Sequence, residues 1–177
     1  IYKSLTITKL SLVMNPENAH YLFAYGTLRS CHKEHRQFCP NALSVSPARV
    51  LGTLFELKEG YPILIFPPET TLRTATQDCL QDWSEARKLS LPHSIESTPG
   101  LRLIEGELIE LPLESKSLHK TDTWEGFQPE KNTTYQRLII PAGLADGTIV
   151  PTWVYGAAEP PGQSLRIESD RWEPKPR

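Results

Sequence analysis

One pattern occurs twice in this chain: Gly-Thr-Leu-Phe-Glu-Leu from Gly52 and Gly-Glu-Leu-Ile-Glu-Leu from Gly106. Each belongs to a longer alternating apolar run, "ARVLGTLFEL" (48–57) and "LRLIEGELIEL" (101–111), and alternation with period two is the mark of a strand. A glycine inside a strand weakens it and marks a bend or a bulge. Two strands of the same design therefore predict one strongly curved sheet. Tyr21 to Tyr25 adds a buried strand. "TTYQRLII" and "TIVPTWVYG" add two more around the turn-like "GLADGT" (143–148), a hairpin connection. Pro151 places the start of the second of these at an edge or a bulge. Helical stretches are short: Arg29 to Cys39, stopped by Pro40, and "DCLQDWSEARKL" (78–89), with Leu80, Trp83 and Arg87 near helical spacing. The fold class that follows is α+β, a small curved or closed β-barrel core with short peripheral helices.

The 177 residues suit one compact domain. Residues 1–19 read as an N-terminal arm and 20–177 as the domain, with an insertion around 67–100 that holds the Trp83 helix. Met14 opens the segment that leads into the first strand, so residues 1–13 are expected to be dispensable. The Pro-rich, charged C-terminus is expected to wrap the surface, docked by Trp172. A formal net charge of −2 lacks the basic excess of a nucleic-acid binder. The apolar runs fall well short of the ~20 residues that a membrane helix needs. "IYKSLTITKLSLV" is too polar and too alternating for a signal-peptide core. Three cysteines, an odd and sparse set, agree with a reducing compartment. The expectation is a cytoplasmic protein with neither nucleic acid nor membrane as partner.

Two stretches could carry chemistry. In "CHKEHRQFC", Cys31, His35 and Cys39 recur every four residues and share a helical face, but they lack the tight Cys-x-x-Cys pair of structural zinc sites, and no metal is expected. Cys31 has no histidine and orienting acid to make it a nucleophile, and no Gly-x-Ser-x-Gly elbow occurs. In "TDTWEGF" (121–127), Glu125 lies between Trp124 and Phe127. A carboxyl beside apolar rings is desolvated, which raises its pKa toward the range of a general base. On residues alone a second reading stands beside this one: a helix end capped by Gly126, with Glu125 merely solvated.

The ordered series "LFAYGTLR", "ARVLGTLFELKEGYPILI", "IEGELIEL", "TDTWEGF", "TTYQR" and "TWVYG" resembles the gamma-glutamyl cyclotransferase-like superfamily, and "SLRIESDRW" resembles the ends of its bacterial members. The resemblance runs from Tyr21 to about Trp172. It implies a cavity at one mouth of the barrel. There the loop of Tyr25, Gly26, Thr27 and Leu28 holds the substrate through backbone amides, and Glu125 acts as base and then as acid. Gly26 would let the backbone approach a glutamyl carboxylate. Tyr135 and Tyr155 match cavity positions, with aromatic packing as their other reading. Tyr61 and Pro62 shape the wall, and Arg29 would attract the α-carboxylate. The 67–100 insertion is expected to cover or narrow the cavity.

The reaction so implied closes a γ-glutamyl amine or peptide to 5-oxoproline and releases the amine. Its partner is a small γ-glutamyl molecule and it calls for no cofactor, because the substrate's own α-amino group is the nucleophile. The other functional class is a binding module that uses the same cavity to sense or carry a small carboxylate.

Overall fold

A computed structural model describes residues 18–175. Along them run β1 (Ala19–Ala24), α1 (Lys33–Phe38), β2 (Ser44–Glu56), β3 (Pro62–Ile65), β4 (Arg73–Thr74), α2 (Cys79–Ala86), β5 (Arg102–Pro112), α3 (His119–Glu125), β6 (Gln136–Leu144), β7 (Ile149–Gly156) and β8 (Leu165–Arg166). The arm reading lies outside the described residues up to residue 17; Ala19, which it included, is the first residue of β1.

The two glycine-bearing segments lie in β2 and β5, which pair antiparallel from Ser44↔Glu110 to Gly52↔Arg102. β5 then pairs with β1, β1 runs parallel to β7 at Leu22↔Trp153, and β7 forms the expected hairpin with β6. β6 returns to β2 at Ala48↔Leu144 and Arg49↔Gly143. That last contact closes a five-stranded barrel, with β3 and β8 flanking the far end of β2 and β4 lying on β6. β1 is buried along its whole length, which is why its sequence is a continuous apolar run rather than an alternating one.

Gly106 does not sit in a bulge, since the β2–β5 register is unbroken across it, and Gly52 is the last β2 residue paired with β5, where β2 passes on to β3 at Thr53. The barrel needs them for another reason. A Cβ on Gly106 would lie 2.5 Å from the Ala24 carbonyl oxygen and 2.6 Å from the Phe23 ring; one on Gly52 would lie 2.7 Å from the Ile65 carbonyl oxygen. The backbones are packed too closely for a side chain, and a backbone oxygen cannot swing aside. Gly106→Ala is expected to destabilise the fold by about 1–3 kcal/mol, read as a lower urea midpoint; an unchanged midpoint would refute the close-approach account. Pro151 likewise pairs with Pro141 without a bulge, on a part of β7 beyond the residue that bridges to β1.

The 67–100 stretch contributes a turn of 3₁₀ helix at Pro68–Thr70, β4 and α2. Asp78 caps α2 by accepting from the Gln81 amide, and Trp83 packs edge-on to His20 and Tyr21 and stacks with Trp153. The helix thus seals the barrel wall beside the first half of β1. After β8 the chain crosses the barrel, with Ile167 N–H bonded to the Leu54 carbonyl and Glu105 N–H to that of Asp170, and buries Trp172 as anticipated. Among the described residues no helix is long and apolar enough to cross a membrane.

Candidate active site

β1 ends at Ala24, and the chain leaves the barrel through Tyr25–Leu28 into a cavity of about 840 Å³. Tyr25, Gly26, Thr27, Leu28, Tyr61, Pro62, Glu125, Tyr135 and Tyr155 all line it, brought together from β1, the β2–β3 turn, the end of α3 and the strands of the last hairpin. Arg29 does not reach the cavity. Its side chain is 1% exposed and bonds the Trp172 carbonyl, Glu173 and the Gly26 carbonyl instead. The Trp83 helix is also absent from the lining, because its apolar face is spent on β1 and Trp153. The wall includes residues to which no sequence signal pointed, Asn132 and Pro161–Gln163 of the segment before β8, where Gln163 has a left-handed φ of 68°, and also Thr133 and Thr134 of the "TTYQR" motif.

Glu125 is the last residue of α3, and Gly126 ends the helix in the left-handed conformation (φ 65°), its N–H bonding the carbonyls of Asp122 and Thr123. Both sequence readings of the segment meet here: the glycine is a helix cap, and the glutamate faces the cavity. Burial pushes the Glu125 carboxyl up from its ordinary 4.5 to about 7. Among the described residues no hydrogen bond or ion pair reaches it. Its charge is felt nearby. Burial chiefly, and then Glu125, pushes the Cys39 thiol up to about 12, and the Tyr25 and Tyr135 phenols are raised by burial with the same carboxylate adding to it. A carboxyl that titrates near neutrality with no fixed partner is suited to take up and give back a proton.

Three of the four cavity phenols are committed to protein acceptors. Tyr25 OH donates to the Tyr155 carbonyl (2.7 Å) and accepts from Leu64 N–H (3.1 Å). Tyr135 OH donates to the Pro62 carbonyl (2.9 Å), and Tyr155 OH donates to Asp122 Oδ1 (2.7 Å). They present rings to the cavity and tie its walls together.

In the loop, a Cβ on Gly26 would lie 3.0 Å from Pro62 Cγ. A side chain there would press on the proline ring of the crossing hairpin, which would have to give by a few tenths of an ångström, and the φ of Gly26 is not in the left-handed region. Trp124 Nε1–H donates to Thr27 Oγ1 (3.2 Å), His35 bonds the Leu28 carbonyl through Nδ1 (2.9 Å), and Trp124 stacks on Phe38 of α1 at 4.5 Å. The N–H groups of Gly26, Thr27 and Leu28 find no acceptor among the described residues. Amides left free in a turn are suited to an anionic oxygen.

Behind the cavity stands a pair that sequence reading missed. Arg137 Nη1 donates to both oxygens of Asp122 (2.7 and 2.6 Å), one helical turn before Glu125, and its guanidinium lies between the faces of Phe127 and Trp153 at 4.9 and 4.8 Å. Burial raises the Asp122 carboxyl pKa against the opposing pull of Arg137 and Tyr155.

Residues 22–75 match the family model described as gamma-glutamyl cyclotransferase, AIG2-like. Among solved structures, the fold is shared with an AIG2-like protein from Mus musculus (TM-score 0.56, 15% identity, 90% of this chain and 97% of that one). It is shared also with YkqA from Bacillus subtilis (TM-score 0.51, 22% identity, 87% of this chain), of whose length the chain spans 39%. No curated protein matches the chain. The matched segment thus resembles the gamma-glutamyl cyclotransferase, AIG2-like family, and the barrel has the fold of the AIG2-like protein.

Proposed function

We propose that the protein closes a γ-glutamyl amine or peptide to 5-oxoproline. The observation that carries this reading is the pairing, in one cavity, of three unpartnered amides at Gly26–Leu28 with a carboxyl at Glu125 whose pKa is about 7. The amides hold the substrate's α-carboxylate, and the rings of Tyr25, Tyr135 and Tyr155 shape the space in which the glutamyl chain folds back. Orientation of this kind supplies several kcal/mol of the barrier.

The ionised Glu125 takes a proton from the α-ammonium. The freed amine attacks the γ-carbonyl carbon, forming the new ring C–N bond. As the old C–N bond breaks, Glu125 returns its proton to the leaving nitrogen, and the second proton shed by the attacking nitrogen passes to the amine product, which departs as its ammonium. Substrate and products balance without water, because the ring nitrogen replaces the departing one. One carboxyl serves as base and then as acid.

The test is to incubate the purified protein with a panel of γ-glutamyl amines and dipeptides and to follow 5-oxoproline by mass spectrometry. Product from at least one of them is expected. Binding of these compounds without product from any would overturn the reading in favour of a carboxylate-binding module.

A further inference from the structure

Arg29 is almost wholly buried, yet it does not itself line the cavity, and its contacts divide between two segments far apart in sequence. On one side its Nε and its own backbone N–H both donate to the Gly26 carbonyl (3.3 and 3.2 Å). On the other, Nη2 donates to the Trp172 carbonyl (2.7 Å), and Nη1 and Nη2 reach the two oxygens of Glu173 (3.2 and 3.3 Å); Nη2 also meets His32 Nε2 at 3.3 Å. Trp172 is itself buried, so the far side of this bridge is a fixed point.

The consequence follows from the planarity of the peptide unit. In a trans peptide the carbonyl and the next residue's N–H point in opposite directions. With the Gly26 carbonyl held on the Arg29 side, the Thr27 N–H of that same unit must point away from Arg29, and Thr27 lines the cavity. A guanidinium is suited to this task because its planar fork serves several acceptors at fixed angles, which a lysine ammonium cannot do.

We propose that Arg29 is a positioning residue: anchored by Trp172 and Glu173, it orients the Gly26–Thr27 peptide so that its amide faces the cavity, which makes the C-terminal segment a supporting part of the anion-binding loop. The role assigned to that anion, a substrate carboxylate, rests on the cyclotransferase reading above; the orientation of the loop does not.

The experiment therefore reads both. Arg29→Lys, which keeps the charge and loses the fork, and Glu173→Gln, at a side chain 61% exposed, are compared with the unaltered protein. The first readout is the ¹H–¹⁵N signals of Gly26, Thr27 and Leu28 without ligand, with those of β5 as an internal reference for folding. The second is the affinity for 5-oxoproline, with KM and kcat on whichever γ-glutamyl compound is turned over. In Arg29→Lys the loop signals are expected to shift or broaden while β5 is unmoved. Affinity should fall and KM rise by roughly tenfold or more, as for the loss of charge-assisted hydrogen bonds, with kcat and the pH midpoint unchanged. Glu173→Gln should move the same signals by less.

Unmoved loop signals in Arg29→Lys overturn the proposal, as does a change confined to kcat or to the pH profile. If Arg29→Lys does not fold, Glu173→Gln decides by the same signals. Loop signals that move in a protein that neither binds 5-oxoproline nor produces it would uphold the positioning role and sink the cyclotransferase reading alone.

Discussion

Glu125→Gln is expected to lower turnover of a γ-glutamyl substrate by about 10²- to 10⁴-fold, the range for removing a general acid–base group. Glutamine keeps the volume and one acceptor oxygen of the carboxyl but exchanges no proton near neutrality, so affinity for 5-oxoproline should change little. In the unaltered protein kcat/KM should rise with pH through about 7, since the ionised form is the base. Stability should move the other way. A carboxyl raised from 4.5 to about 7 retains in the folded state a proton that the unfolded chain releases, so folding weakens as pH climbs across that window. Above pH 8 the Gln variant should be more stable than the parent by about 1–3 kcal/mol, after allowance for a carboxyl that faces an open cavity. That gap should close below pH 4.5. A Gln variant with full activity would remove Glu125 from the chemistry. Glu107 could not then take over: its two oxygens are bound by the backbone N–H and the hydroxyl of Ser30, and it does not line the cavity. A Gln variant less stable than the parent at pH 8 would show that the carboxylate has a bonding partner.

The second large effect is expected at Asp122. Its carboxylate is the sole acidic partner recorded, among the described residues, for Arg137, a guanidinium 3% exposed whose Nε has no acceptor. Asp122→Ala leaves that cation buried between two aromatic faces with no opposite charge, and breaking one side of a buried pair costs about 3–5 kcal/mol. Against the ~5–15 kcal/mol by which a domain of this kind is stable, the loss is severe. Urea unfolding at pH 7 measures it. Replacing both members, Asp122→Leu with Arg137→Met, should recover much of the loss because no charge is then buried. A single-variant loss below about 1 kcal/mol would mean that solvent reaches Arg137 once its partner is removed.

Much of this protein was legible in its residue pattern. The alternation around Gly52 and Gly106, the turn residues between β6 and β7, the stop of α1 before Pro40 and the left-handed cap at Gly126 are all local. They depend on side-chain period and backbone φ over a few neighbours, and they appear at their expected places. The ordered motifs also named residues that line one cavity, Arg29 apart. The reasons behind several of them were not legible. Gly106 is required by the Ala24 carbonyl and Gly26 packs closely on the Pro62 ring, contacts that exist only once strands distant in sequence are packed together. Trp83 was placed over the cavity, and it seals the wall beside β1 instead.

By itself the sequence determined the strands, their turns and the curvature they share, because period-two burial and glycine's missing side chain act along the chain. Which charges meet was decided by the tertiary structure alone. Arg29 finds Glu173 across 144 residues and Arg137 finds Asp122 across 15, while Glu125 finds no partner among the described residues. A pairing energy depends on distance and on the loss of water, and barrel closure sets both by bringing remote segments to the same dry place.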